Sequence, residues 1–197
     1  MAWRNRRVDD INKAIRTKIY GKGAARFEIG ERVVTGAPIG NGEETLLSTD
    51  EECEVTALTE SYVLDEATNE EYKTWLVALR PLYADVSQVF AHVLHEDDQE
   101  RYNRQEAKLR GRALDAKGSS RGLYWRRFHE FRDLFSTIRY CYCITIHRSQ
   151  GSTYQTAIVD VKDLLENDIR YERQRLTYVG FSRPQWELVI NKTSFTV

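Results

Sequence analysis

The chain has 197 residues, 41% of them apolar and 11% aromatic, enough to build a packed core in one large or two small domains. Its 29 basic and 30 acidic residues leave a net charge of −1, which excludes a whole-chain electrostatic case for nucleic acid; any such surface is local, with 101–112 and 121–132 the strongest candidates. Three cysteines make no disulfide framework and suit a reducing compartment, the start Met1–Arg7 has no signal-peptide core, and no apolar run approaches the roughly 20 residues that span a bilayer, so a soluble, cytoplasmic protein is expected.

Residues 6–20 predict a helix, because Val8, Ile11, Ile15 and Ile19 recur at spacings of three and four and share a face, and Gly21 and Gly23 then end it. Residues 27–34 read as a strand, followed by a loop signal at Pro38, Gly40, Asn41 and Gly42. Residues 53–64, 72–80 and 86–94 are of β type, which predicts a small antiparallel sheet or barrel over about 27–94. From His95 to about Phe135 the chain is charged and helical. Residues 101–112 carry no continuous apolar stripe, Gly118-Ser119-Ser120 breaks the run, and Phe128, Phe131, Leu134 and Phe135 then form an apolar face. Residues 140–146 (Tyr-Cys-Tyr-Cys-Ile-Thr-Ile), 156–161 and 186–190 are near-continuous apolar runs, the pattern of buried parallel strands, with helical stretches between them. The simplest architecture is one α/β domain from 1–25 plus 126–197, interrupted by a β module at 26–95 and a charged helical connector at 96–125.

Several tempting signals are discounted. Leu46–Glu51 has the look of a magnesium-binding carboxylate box but no upstream phosphate loop, and Ser48-Thr49-Asp50 reads as a turn. Gly21-Lys22-Gly23 lacks the hydroxyl and upstream glycine of a phosphate loop, and no G-x-x-x-x-G-K-[S/T] occurs in the chain. His92 and His95 have no ligand set to complete a metal site and are expected at a strand end or on the surface; no metal is expected. Cys141 and Cys143 are expected as packing thiols. Tyr124 and Trp125, interleaved with arginines, are open between core and a stacking platform for single strands.

Two segments carry chemistry. Residues 145–153 read Thr-Ile-His-Arg-Ser-Gln-Gly-Ser-Thr, at the carboxyl end of an expected strand, where open α/β sheets bind ligands. Its hydroxyls, imidazole, guanidinium and amide suit phosphate oxygens, and no acidic residue in the loop orients His147 for nucleophilic catalysis. Residues 178–184 read Tyr-Val-Gly-Phe-Ser-Arg-Pro, a helix end carrying Arg183, whose charged fork fits phosphate.

In this order and spacing the two segments resemble motifs V and VI of superfamily 1 helicases, the RecD/Dda-like branch above all. Gly180, Ser182 and Pro184 depart from the usual Y-V-A-x-T-R-A, and Pro184 biases Arg183 out of the helix. The resemblance implies a RecA-like parallel sheet flanked by helices, with an inserted small SH3-like β-barrel. It implies that Thr145, His147 and Ser149 face nucleic acid, that Gln150, Gly151 and Thr153 face the nucleotide, and that Arg183 is a catalytic arginine finger reaching ATP held by another lobe. Residues 3–16 are similar to the motif IV region, which adds Asn5 and Arg6 on the nucleic-acid side and Arg16 on the nucleotide side, with Asn12 matching as well. The implied function is the second motor lobe of an ATP-dependent helicase on single-stranded DNA. ATP with Mg2+ would be bound only with an N-terminal domain or separate subunit that supplies the phosphate loop. A non-catalytic nucleic-acid-binding module, a lobe of a viral-type RNA helicase and an accessory docking subunit are the alternatives.

Overall fold

The computed structural model describes residues 1–40, 44–83 and 88–191. Asn41 and Gly42 of the expected loop, and residues 86–87 of the expected third β run, lie outside them. The chain divides into two compact units, Met1–Ala24 with Tyr140–Val197, and Ala25–Arg139.

Helix α1 (Asn5–Tyr20) opens the first unit and ends at Gly21, whose φ of 88° lets its N–H reach the Thr17 carbonyl at 2.9 Å. Its apolar residues do not choose its buried face. Asn12 and Arg16 are the buried ones, while Ile19 is 57% exposed. Burial of polar groups is tolerated there because both have partners: Asn12 in backbone hydrogen bonds, Arg16 over two aromatic rings.

The second unit is built on β1 (Arg32–Thr35), β2 (Ile39–Gly40), β3 (Thr45–Leu47), β4 (Glu52–Asp65), β5 (Glu70–Pro81) and β6 (Val89–Leu94). A helical hairpin follows, α2 (Gln99–Asp115) and α3 (Ser120–Asp133), and then β7 (Ile138–Tyr140). The main sheet has the order β6-β5-β4-β1-β7, with β1–β4, β4–β5 and β5–β6 antiparallel; β2 and β3 form a separate ribbon. The long β4–β5 hairpin turns at Asp65, whose carboxylate accepts from the Ala67 N–H (3.3 Å) and the Thr68 hydroxyl (2.9 Å), an Asx-type turn. Arg127 of α3 donates to both oxygens of the same carboxylate. Alternation puts Cys53 and Val55 of β4 and Val77 and Leu79 of β5 on one buried face, while Tyr72, of opposite parity to Val77, is buried on the other. Helices α2 and α3 close over Tyr72 with Leu109, Phe128 and Phe131; Tyr102 stacks on Phe131 at 5.2 Å, and Trp125 packs edge-on to Phe128. His95 stands at the strand end, directly after β6, and not on the surface. It is 7% exposed, stacked on Trp75 at 4.7 Å, with Nδ1 accepting the Asp97 N–H.

The first unit resumes at Tyr140, the last residue of β7, and contains β8 (Tyr154–Val159), α4 (Val161–Leu165), α5 (Arg170–Phe181) and β9 (Pro184–Ile190). Strands β8 and β9 pair in parallel. The core is Ile146, Val159, Val161, Leu164 and Leu176, with Met1, Trp3 and Val179 against it.

The expected RecA-like parallel sheet flanked by helices is therefore not the architecture of this chain. The fold is mixed α/β with mostly antiparallel sheets, and parallel pairing is confined, among the described residues, to β8–β9 and a single bridge between Ala2 and Thr145. The decisive difference lies at 140–146, read as a buried parallel strand. Only Tyr140 is in a strand, and it belongs to β7 on the main antiparallel sheet. Further along, the Asn12 amide takes both the N–H and the C=O of Cys143, the groups a neighbouring strand would need, so no ladder forms there. An apolar run of this length reports burial but not strand pairing. Among the described residues, no helix is long and apolar enough to cross a membrane.

Candidate functional site

Residues 145–152 form a compact series of turns. The Ser149 N–H donates to the carbonyls of Thr145 and Ile146 (both 3.2 Å), Gln150 N–H to His147 (3.3 Å) and Ser152 N–H to Ser149 (3.2 Å). Gly151 closes it with a φ of 85°, a conformation that costs any residue with a Cβ. Two hydroxyls expected to face a ligand are turned inward. Ser149 is fully buried and its Oγ donates to the Ile146 carbonyl at 2.7 Å; Thr145 is buried and its Oγ1 accepts the Arg148 N–H at 3.2 Å. They hold the loop's shape. The groups presented to solvent are His147, Gln150, Gly151, Ser152 and Thr153.

Arg183 sits against this loop. Helix α5 stops at Phe181, three residues before Pro184 has to adopt strand geometry, and Arg183 occupies the joint. Its Nε donates to the Val179 carbonyl (3.1 Å), Nη2 to the Ser182 hydroxyl (2.9 Å) and Nη1 to the Ser152 carbonyl (3.4 Å). Its own carbonyl accepts the Tyr154 N–H at 3.0 Å, so the backbone after the loop and the backbone after α5 are locked in register. Behind both, Gly180 faces the Ile146 side chain. Two segments about 30 residues apart in sequence thus share one patch of surface. Sequence reasoning missed Ser152 as the residue that receives Arg183; a backbone carbonyl leaves no trace in a side-chain pattern.

The amino-terminal residues go elsewhere. Asn5 and Arg6 are exposed at the start of α1. Arg6 lines a charged cleft of about 390 Å³ with Arg4, Arg7, Asp10, Asp160, Lys162, Asp163 and Glu166. Most of that charge is internally matched. The Asp163 carboxylate accepts the backbone N–H groups of Trp3 (2.7 Å) and Arg4 (3.0 Å) and pairs with the Arg4 guanidinium at 2.6 Å, and Arg7 pairs with Asp160 at 2.6 Å. Burial by itself would raise the Asp160 pKa, but Arg7, the Asp163 N–H and Asn191 together hold it below the ordinary value. Arg16 lies 4.8 Å from the Tyr140 ring centroid and 5.6 Å from that of Tyr20, a cation–π setting. Asn12 is a structural clamp, its amide bonded to both backbone groups of Cys143. Among the described residues no group of three His, Cys, Asp or Glu side chains is placed to hold a metal ion.

The two segments that meet at Arg183 are also those that comparison with known proteins picks out. Residues 140–190 match the UvrD-like helicase C-terminal domain. The match covers both motif segments, Gly151 and Arg183 included, so this part of the chain is similar to a helicase C-terminal module. The chain is also 38% identical over 60 residues to uncharacterized protein R530 of Acanthamoeba polyphaga mimivirus, a likeness that covers 30% of this chain. It spans only 12% of that viral protein's length.

Proposed function

We propose that the chain is the second motor lobe of an ATP-dependent helicase of the RecD/Dda type. It binds single-stranded DNA through the solvent-facing side of the 145–153 loop and lends Arg183 to ATP hydrolysis. The observation that carries the reading is the contact between the Arg183 guanidinium and the Ser152 carbonyl, 3.4 Å apart, inside the segment that matches the helicase domain. A guanidinium fixed through Nε and Nη2 is aimed without further ordering, and a phosphate arriving at the loop would compete only for the longest of its three hydrogen bonds.

His147, Gln150 and Thr153 are the side chains of the motif that a ligand can reach, and Gly151 lets a phosphate approach the backbone closely. Thr145 and Ser149 act by shaping the loop; Asn5 and Arg6, exposed at the start of α1, are secondary contacts. Arg16, held among rings, orders the region around Tyr140 rather than gripping nucleotide. ATP and Mg2+ come with a phosphate-loop domain from elsewhere in the protein or from a separate subunit, since this sequence has no such loop. In that setting the finger neutralises charge on the transferred phosphoryl group.

The test is an assay of the chain with and without a lobe that carries the phosphate loop. Alone, it binds labelled oligothymidine and hydrolyses no ATP. With the lobe, single strands stimulate turnover, and Arg183→Ala lowers the rate by about 10³–10⁵ while leaving oligothymidine binding intact. His147→Ala weakens binding instead. ATP hydrolysis by the chain alone, or full turnover by the Arg183→Ala protein, overturns the reading. A matched oligouridine arm separates DNA from RNA as the track.

A further inference from the structure

The α2–α3 hairpin has a charge quite unlike the rest of the chain. Residues 99–133 hold ten of the 29 basic residues and only five of the 30 acidic ones. Two of those acids are occupied, Glu106 by Arg132 and Glu130 by Arg126. Among the described residues, Arg104, Lys108, Arg110, Arg112, Lys117 and Arg121 are exposed and pair with no carboxylate. The hairpin itself is well anchored, through Arg127 on Asp65 and through the aromatic cluster around Tyr72 and Phe131. The cations therefore ride on a rigid support.

Arg104, Lys108 and Arg112 follow one another at a spacing of four, so they form a row along one side of α2, each about 6 Å beyond the last. Like charges at this spacing disfavour a helix by about 0.2–0.5 kcal/mol per pair. Of the three acids of α2, Glu106 is taken by Arg132, and Glu100 and Asp115 stand at its two ends. A row of fixed cations is matched by a row of fixed anions. A duplex holds its phosphates in a stiff, regular array, about one negative charge per 1.7 Å of axis with both strands counted, which a rigid row of cations meets without first ordering the strand. Single strands ask for something different, a platform on which unstacked bases can lie. The one aromatic residue of α2, Tyr102, is stacked on Phe131 in the core and offers none.

We propose that this face of α2 binds the phosphate backbone of duplex nucleic acid, independently of sequence. The contact stands apart from the reading of 145–153 and does not need it. The experiment is fluorescence anisotropy of the full chain with a labelled blunt duplex and with labelled oligothymidine, over a potassium chloride series. The variant is Arg104→Gln/Lys108→Gln/Arg112→Gln, with Lys13→Gln/Lys18→Gln/Lys22→Gln as a control for net charge. Neutralising the row lowers duplex affinity about tenfold or more at low salt and makes the salt dependence shallower by about 2–3. The control variant and oligothymidine binding stay unchanged. Circular dichroism confirms that both variants fold, as exposed unpaired positions should allow. Unchanged duplex affinity and slope overturn the proposal. So does an equal loss on oligothymidine, which would make the row a single-strand contact, or binding of poly-glutamate in place of duplex, which would make the partner an acidic protein.

Discussion

The side-chain amide of Asn12 makes both backbone hydrogen bonds of Cys143, accepting its N–H at 2.7 Å and donating to its C=O at 3.1 Å. One residue of α1 thereby takes the place of a strand neighbour. It fixes the approach to Thr145 and the loop beyond, on which the candidate site depends. Removing the amide leaves two buried backbone groups without partners, each worth about 1–3 kcal/mol. Asn12→Ala should cost about 2–4 kcal/mol in urea denaturation, and Asn12→Asp, which can accept but not donate, should also be clearly destabilised. A shift within error for both would show that water replaces the clamp.

Two glycines of the site should respond in opposite directions. Gly151 has a φ of 85°, so Gly151→Ala meets backbone strain even though space is open, a loss of about 1–2 kcal/mol. Gly180 lies within α5, and a Cβ there would meet the Ile146 side chain at 3.7 Å, an ordinary contact. Gly180→Ala should raise stability by up to about 1 kcal/mol. Thermal midpoints of the two variants, compared with the parent, decide the matter; the same sign for both would contradict the backbone argument.

Stability should fall on the alkaline side. Burial first, and the Glu51 charge second, push the Cys53 thiol from 9.0 up to about 11. Burial, then the hydrogen bond and charge of Glu70, push the Tyr72 phenol from 10.0 up to about 12. Both groups hold their protons in the folded state while the unfolded chain releases them, so their contribution is complete below pH 9 and is lost as the pH climbs toward 11–12. Urea midpoints measured from pH 8 upward should decline, and Cys53→Ala should flatten the lower part of that decline. A parent protein with constant stability across the window would be inconsistent with buried, protonated groups.

On the acid side the sign reverses. The folded-state pKa of Asp160 lies below its ordinary 3.8 despite the opposing effect of burial, because Arg7, the Asp163 N–H and Asn191 favour the charged form. Its contribution is present above that ordinary value and is lost as the pH falls through the lower one. Asp160→Asn should remove that part of the acid limb. Acid denaturation curves of parent and variant that run parallel would refute the assignment.

Thiol chemistry gives a simple check on the packing. Cys53 and Cys143 are buried, and burial raises both pKa values, so neither is a good nucleophile. Cys141 is partly exposed. Iodoacetamide at pH 8 should label Cys141 first, with Cys53 and Cys143 reacting only as the protein unfolds, which peptide mass mapping would read directly.

The two motif segments, the helix at 6–20, the helix end before Arg183 and the β character of 53–64 and 72–80 were legible in the sequence, because each rests on local chemistry: a run of named polar groups around a glycine, a helix stop before proline, alternation along a strand. Pairing was not legible. The apolar run at 140–146 looks like a parallel strand by composition, yet at Cys143 its partner is the amide of Asn12, 131 residues away in sequence, and no local pattern encodes that choice. The inward turn of the Thr145 and Ser149 hydroxyls, the burial of Arg16 among rings and the meeting of Arg183 with the Ser152 carbonyl are of the same kind. Residue type determined which groups could bind phosphate. Only the tertiary structure decided which of them point outward, since a hydroxyl serves its own backbone or a ligand according to where the chain has been held.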